Sequence, residues 1–382
     1  MEPTANHAPV AGVRKIAVLR ANSLGDFVFT LPALSALRSA YPDAEIVLLA
    51  REWHRAFLTE RPGPFDRIVP IPSVPGVTQA AHEPADEDEL ARFFAAMRAE
   101  EFDLAVQLHG GGAYSNPFVA ELGAGVTVGL RAAGARELDR CVPYVYYHHE
   151  VLRYLEVVSL VGARAPAIDP TLAVTERDLA EARSVVSDRR RPLVALHPGA
   201  ADPRRRWPPE RFAAVGDALA RAGADVLVTG IEDERELVDS VVRAMEEEAR
   251  PLAGRLSLRG LAGLLARCAV VVSNDTGPLH LARAVGAATV GIYWCGNMIN
   301  GGPLTRSRHR ALLSWTVRCP VCGADAAYVS DAPGGQRERC PHDPSFVAEV
   351  PVADVRFAAL ELLAPDSGGS DEERDRVWEQ VA

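Results

Sequence analysis

Short apolar runs alternate with helix-length amphipathic stretches along most of the chain. The first run, Lys15-Ile16-Ala17-Val18-Leu19-Arg20, ends in a Ser-Leu-Gly-Asp loop, and a helical pattern follows from Phe27 to Ala40. Further strands are predicted at Glu45 to Ala50, Asp66 to Ile71 and Asp103 to Leu108, with a helix from Asp86 to Glu101. Strands that alternate with helices in this way form a parallel sheet covered on both faces.

After a predicted helix from Tyr147 to Gly162 comes Ala163 to Pro170, a proline-bearing stretch suited to joining two domains. The alternation then restarts. Strands are predicted at Pro192 to His197, Asp225 to Thr229, Ala269 to Ser273 and Ala288 to Tyr293, with helices at Pro208 to Ala222, Glu232 to Glu248 and Leu261 to Arg267. The expected architecture is α/β, with one doubly wound unit over residues 12–165 and a second over 171–355. Ligands bind at the carboxyl ends of strands in such sheets, so a cleft between the units is the expected site. The stretch 365–382 is rich in Gly, Ser and acidic residues and reads as a mobile acidic tail.

Length supports the division: 382 residues exceed the roughly 250 to 300 at which a single core stops growing. The composition, 48% hydrophobic and 24% charged, is that of a globular protein. A net charge of −10 gives no basic face for nucleic-acid phosphates, so nucleic acid is not an expected partner. Lys15 is the sole lysine, and the other basic residues are arginines. No apolar run approaches the roughly 18 to 20 residues that span a bilayer, and Met1 to Ala11 lacks the apolar core of a signal peptide. The expected location is cytoplasmic. Six cysteines in a chain of this length do not form a secreted disulfide framework.

Three strand exits carry the candidate chemistry. In Asn22-Ser23-Leu24-Gly25-Asp26, Gly25 lets backbone approach a ligand, and Asp26 is either a helix N-cap or a catalytic carboxylate. Leu196-His197-Pro198-Gly199-Ala200 leads into Arg204-Arg205-Arg206-Trp207-Pro208. Its three arginines either clamp a diphosphate or stay solvated, and Trp207-Pro208 reads most simply as a packed helix start. In Ser273-Asn274-Asp275-Thr276-Gly277-Pro278-Leu279-His280 a strand ends in small polar residues before a helix, which aims free N–H groups and a positive dipole end at an anion. There Asp275 and Thr276 are alternatively caps and His280 a core histidine. Glu232, after a predicted strand, suits ribose hydroxyls, though acidic residues also favour a first helical turn.

Near the end, Cys319-x-x-Cys322 precedes Cys340-x-His342. These four are a candidate structural zinc site, with free or packed thiols as the alternative. Cys141, Cys268 and Cys295 read as ordinary small core residues.

Together the segments resemble glycosyltransferase family nine, the ADP-heptose:lipopolysaccharide heptosyltransferases. The resemblance is carried by Leu19-Arg20-x-x-Ser23-Leu24-Gly25-Asp26 with Leu31-Pro32-Ala33-Leu34, by His197-Pro198-Gly199-Ala200, by Arg206-Trp207-Pro208 and by Ser273 to His280, from about Lys15 to Val355. It implies a GT-B fold, two Rossmann-like domains facing a central cleft, the first for the acceptor and the second for the donor. It further implies inverting, metal-independent transfer with Asp26 as general base. By the same resemblance Ser23, Gly25, His197, Gly199, Arg205, Trp207, Glu232, Asp275, Thr276, Gly277 and His280 would bind the donor. Arg205 stands where the family commonly has lysine.

The implied partners are a nucleotide sugar, ADP-heptose above all, and a glycan or glycolipid acceptor such as lipopolysaccharide core. Any association with a membrane surface would come through that acceptor. No cofactor is implied for catalysis. The loops Gly110 to Pro117 and Arg131 to Arg140 would read the acceptor. A nucleotide-sugar epimerase of the same fold and a non-catalytic nucleotide-sugar binder are the alternatives; an oxidoreductase is disfavoured because the first loop lacks G-x-G-x-x-G.

Overall fold

The computed structural model describes residues 8–187, 191–327 and 340–364; the expected acidic tail, 365–382, lies outside them. The first half builds a six-stranded parallel sheet from β1 (Lys15–Leu19), β2 (Glu45–Ala50), β3 (Arg67–Pro70), β4 (Leu104–Gln107), β5 (Val126–Arg131) and β6 (Arg140–Pro143), in the order β3-β2-β1-β4-β5-β6. The second half repeats it with β7 (Leu193–His197), β8 (Asp225–Gly230), β9 (Ala249–Ala253), β10 (Cys268–Asn274), β11 (Ala288–Trp294) and β12 (His309–Ser314), in the order β12-β11-β10-β7-β8-β9. Counted within each half, both orders are 3-2-1-4-5-6, read from opposite edges. The strand order therefore reverses between β1 and β4 in one sheet and between β7 and β10 in the other, and loops diverge there to leave a crevice.

Central strands are legible from sequence because helices cover both faces. Val18, Leu48, Val106, Val194 and Val272 are all fully buried, which selects unbroken apolar runs over alternation. The strands missed by pattern, β5, β6, β9 and β12, lie toward sheet edges. β6 and β12 are largely half-exposed, and β9 begins with the polar-bearing Ala249-Arg250-Pro251.

Predicted helix limits shift in several places, and the helix predicted from Leu261 starts at Leu258. The run Phe27 to Ala40 is two helices, α1 (Leu24–Val28) and α2 (Leu31–Ala40). Pro32 has no N–H to continue the first into the second, and Thr30 closes the break, its N–H and Oγ1 both donating to the Phe27 carbonyl at 2.9 and 2.6 Å. The helix expected from Tyr147 starts at Glu150, as α6 (Glu150–Ser159), because His149 caps it by accepting from Val151 N–H at 3.2 Å. The stretch from Glu232 to Glu248 is a 3-10 turn over Glu232–Glu234 followed by a helix over Arg235–Ala244.

The halves are joined by buried charge. Asp178, in a helix over Glu176–Val185, accepts from Arg61 at 2.7 and 3.0 Å and from Arg259 at 3.3 Å. Arg61 also donates to the Ala173 carbonyl and Arg259 to those of Ala56 and Thr59, so each arginine reaches across between the halves. A buried carboxylate shared by two guanidiniums tolerates little displacement of either. Among the described residues no helix is long and apolar enough to cross a membrane.

Candidate active site

Asp26 stands in the first turn of α1, where the chain leaves β1 at the switch point. Ser23 is the N-cap, and Asp26 is the third helical residue of a capping box rather than the cap itself; its Oδ2 accepts from Ser23 N–H at 3.2 Å and Ser23 Oγ at 2.6 Å. The other oxygen faces Arg20 Nη2 at 3.2 Å. Arg20 is 1% exposed and is locked from behind: Nη1 donates to the Leu108 carbonyl at 2.5 Å, and Nε to the Asp26 carbonyl at 3.1 Å. Asp26 thus serves the capping box while its carboxylate stays in reach of solvent. The Asp26 side chain keeps 34% of its surface open.

A second carboxylate lies behind the first. Glu150 is 3.8 Å from Arg20 Nη2 and bonds Arg153 and the Tyr154 hydroxyl. Burial raises its pKa, against the opposing charges of Arg153 and Arg20. His54 and His109, close to the same guanidinium, are driven down to about 3 by burial and by the Arg20 charge, so both are neutral. Glu150 and its surroundings had no sequence signal, since only α6 folding over the β1 and β4 exits brings them to Asp26.

In the second half, the turn after β10 opens a helix, α11 (Gly277–Ala284), with Thr276 as N-cap. Asp275 is 5% exposed and fully engaged: Oδ1 pairs with His280 Nε2 at 3.1 Å, and Oδ2 accepts from Arg205 Nη1 at 3.2 Å and Asn297 Nδ2 at 2.6 Å. Burial alone would raise this carboxyl; the bond and charge of His280, the charge of Arg205 and the Asn297 bond outweigh it, leaving the pKa at about 2. Asp275 is thus an organiser of three side chains, His280, Arg205 and Asn297. Asn274 is a further organiser, accepting from Trp207 N–H at 3.0 Å and donating to the Pro198 carbonyl at 2.7 Å. Ser273 is buried, its Oγ turned to the Asn274 carbonyl.

The three arginines divide their work. Arg204 pairs with Asp202 at 2.7 Å, Arg206 donates to the Ala200 carbonyl at 2.8 Å, and Arg205 is the one of the three that turns to Asp275 and the turn after β10. Trp207 is 0% exposed with its indole N–H on the Val350 carbonyl at 3.0 Å. Its side chain is sealed in the core as the packed helix start and is not presented to the cleft as the donor expectation had it. His197 is buried against Thr229 Oγ1 at 3.0 Å, and burial lowers its pKa. Glu232 is paired with exposed Arg235 at 2.6 Å. The carboxylate against the Gly199 loop is instead Glu234, so close that a Cβ on Gly199 would fall 2.1 Å from it.

The two exits meet. A Cβ on Gly25 would lie 2.9 Å from His280 Cδ2, and one on Gly277 would lie 3.0 Å from the Leu24 Cβ. Phe29 packs on the His280 ring with centroids 4.6 Å apart. Glycine at both positions lets the start of α1 abut the start of α11, so the exits of β1 and β10 come together from the two halves.

The model of Glycosyltransferase family 9 (heptosyltransferase) matches residues 90–320. The chain belongs to this family. Its members are glycosyltransferases, and so is this protein. Among relatives, lipopolysaccharide heptosyltransferase 2 of Salmonella typhimurium is 27% identical over 294 residues, covering 73% of this chain and 82% of its own. Lipopolysaccharide heptosyltransferase 3 of Escherichia coli is 22% identical over 361 residues, covering 91% and 97%. Of solved structures, Escherichia coli ADP-heptose lps heptosyltransferase II superposes with a TM-score of 0.67 at 21% identity over 91% of this chain and 98% of that one. The fold of this glycosyltransferase is therefore GT-B.

The late cysteine cluster also assembles. Ligand atoms of Cys319, Cys322, Cys340 and His342 lie within 4.8 Å of one another. None of the six cysteines forms a disulfide, and burial pushes the Cys268 thiol up to about 12, as suits a core residue.

Proposed function

We propose that the protein transfers heptose from ADP-heptose to a hydroxyl of a lipopolysaccharide-core acceptor, with inversion at the anomeric carbon and with Asp26 as general base. The observation that supports this is the meeting of α1 with α11, Gly25 against His280 and Gly277 against Leu24, in which the helix bearing the third-exposed Asp26 carboxylate touches the helix whose turn holds Arg205 through Asp275. In this reading the acceptor O–H gives its proton to the free face of Asp26. The acceptor oxygen bonds the anomeric carbon as the bond to the diphosphate breaks, and the leaving diphosphate takes the pair of electrons. Arg205 and the N–H groups of Thr276 and Gly277 receive the charge that develops there.

We place acceptor binding in residues 12–165 and donor binding in 171–355, the latter through Arg205, Thr276, Gly277 and His280, with the ribose near Gly199 and Glu234. Transfer runs without a divalent ion in this proposal, because the carboxylate of the donor turn, Asp275, is already committed to Arg205, His280 and Asn297. The four-residue cysteine and histidine cluster is read as a structural zinc site. We place the protein in the cytoplasm, where thiols such as these six, none of them in a disulfide, persist.

The test is a mass-spectrometric screen of nucleotide sugars, ADP-heptose included, against acceptor extracts from the source cell, with chelator added. A product heavier by one heptosyl unit, together with released ADP, is expected. Product that forms only with added divalent ion overturns metal independence. No transfer from any nucleotide sugar overturns the proposal.

A further inference from the structure

The Cys319–His342 cluster does not stand apart from the donor site. Cys319 and Cys322 sit on a tight knuckle, closed by Gly323 N–H on the Cys319 carbonyl at 2.8 Å and Cys319 N–H on that of Ala324 at 2.9 Å. The 4.8 Å spread of the four ligand atoms is a small contraction away from the edge of about 3.8 Å of a tetrahedron with 2.3 Å zinc–sulfur bonds. His342 Nδ1 is buried with no hydrogen-bond partner among the described residues, as a ring nitrogen reserved for another acceptor of its lone pair would be.

From His342 the chain runs directly into the arginine segment. Ser345 Oγ donates to the Arg206 carbonyl at 2.6 Å, Phe346 N–H donates to the Arg204 carbonyl at 2.7 Å, and the Arg204 guanidinium lies over the Phe346 ring at 5.5 Å. These contacts bracket Arg205 on both sides. At the other end of the knuckle, the Ala327 carbonyl accepts from the Tyr147 hydroxyl at 2.6 Å, and Tyr147 belongs to the first half.

We infer that a tetrahedral metal bound by Cys319, Cys322, Cys340 and His342 fixes the Arg204–Arg206 segment in its donor-facing shape and ties it to the first half through Tyr147, so that metal occupancy sets donor-nucleotide affinity. This rests on the readings of the cluster as a metal site and of Arg205 as a diphosphate ligand. The metal takes no part in the chemistry; it pins the Cys319–Cys322 knuckle and the Cys340–His342 segment to the core in which Cys319, Phe346 and Val347 pack with Trp207. Loss of the metal frees the backbone that bears Arg205, and the ordering must then be supplied by the ligand on binding.

The experiment compares full-length protein as purified, stripped by a chelator under reducing conditions, and reloaded with zinc alone. Metal content, amide hydrogen exchange and ADP binding by calorimetry are read on each. One bound metal, exchange about tenfold faster at residues 203–207 after stripping with β8 unchanged, and restoration by zinc are expected. Uptake of no zinc overturns the metal reading and the inference with it. Zinc bound with exchange at 203–207 unaltered overturns the inference alone. A wild-type protein that binds zinc but no ADP overturns the donor reading and leaves the exchange result standing. Should stripping unfold the whole second half, Ser345→Ala decides, since it keeps all four ligands: roughly threefold to tenfold weaker ADP binding at full metal content is expected, and unchanged affinity overturns the coupling.

Discussion

The Asp26→Asn substitution separates the capping role that the structure shows from the base role proposed for this residue. The amide retains an oxygen for the Ser23 hydroxyl, so the capping box loses little. What disappears is the negative charge, and with it both the base and one of two carboxylates near Arg20. The structural loss is modest: Asp26 is a third exposed, its contact with Arg20 Nη2 is 3.2 Å, and the guanidinium keeps Glu150, Leu108 and the Asp26 carbonyl. For a pair so open to solvent about 1 kcal/mol is the scale. Removal of a general base costs about 10²- to 10⁴-fold in rate, which is about 2.7 to 5.5 kcal/mol of barrier. The chemical effect therefore exceeds the structural one severalfold, and the two are measured separately. Initial rates of ADP release with saturating acceptor should fall at least a hundredfold. Calorimetric ADP affinity should hold within about twofold, because Arg205 and the α11 turn lie in the other half, and the melting temperature should drop by no more than a few degrees. A variant that keeps a tenth or more of the wild-type kcat refutes Asp26 as the base. A fall in ADP affinity matching the fall in rate assigns the residue to donor binding instead.

Other outcomes follow from the same geometry. Arg205→Ala should weaken ADP binding about 10- to 100-fold, the loss of a charge-assisted contact, with Arg205→Lys recovering part of it; equal affinity in all three proteins would leave the diphosphate without this ligand. Gly25→Ala places a methyl 2.9 Å from His280 Cδ2 and should lower kcat/KM about tenfold or more while the melting temperature changes little, measured by initial rates beside thermal unfolding. Stability should fall on acidification below neutrality. His54 and His109 are held at about 3, against 6.5 when exposed, so between those values the unfolded chain binds protons that the folded one refuses. The stability these neutral rings contribute is present above about pH 6.5 and is lost as pH falls toward 3. Each contributes a slope of about 1.4 kcal/mol per pH unit, and His109→Gln should flatten a denaturant-derived stability profile by one such increment.

Much of this protein is determined by sequence alone. The buried central strands declare themselves as unbroken apolar runs because both sheet faces are covered, and the ends of β1, β7 and β10 lie at the switch points, the place where open α/β sheets bind ligands. Asp26, Arg205, Gly277 and the four residues of the cysteine and histidine cluster all come from local patterns of residue type and spacing. What sequence could not separate was competing uses of one residue, since capping, packing and binding draw on the same side chains. Only tertiary structure decided that Arg204 and Arg206 are spent on Asp202 and Ala200, that Trp207 is sealed in the core, and that Asp275 organises Arg205 and His280. Glu150 and Asn297 carry no local signature, and they reach the site because α6 and the segment after β11 fold over it. Edge strands stayed hidden for the complementary reason: half-exposed positions accept polar residues, so burial no longer writes its pattern into the chain.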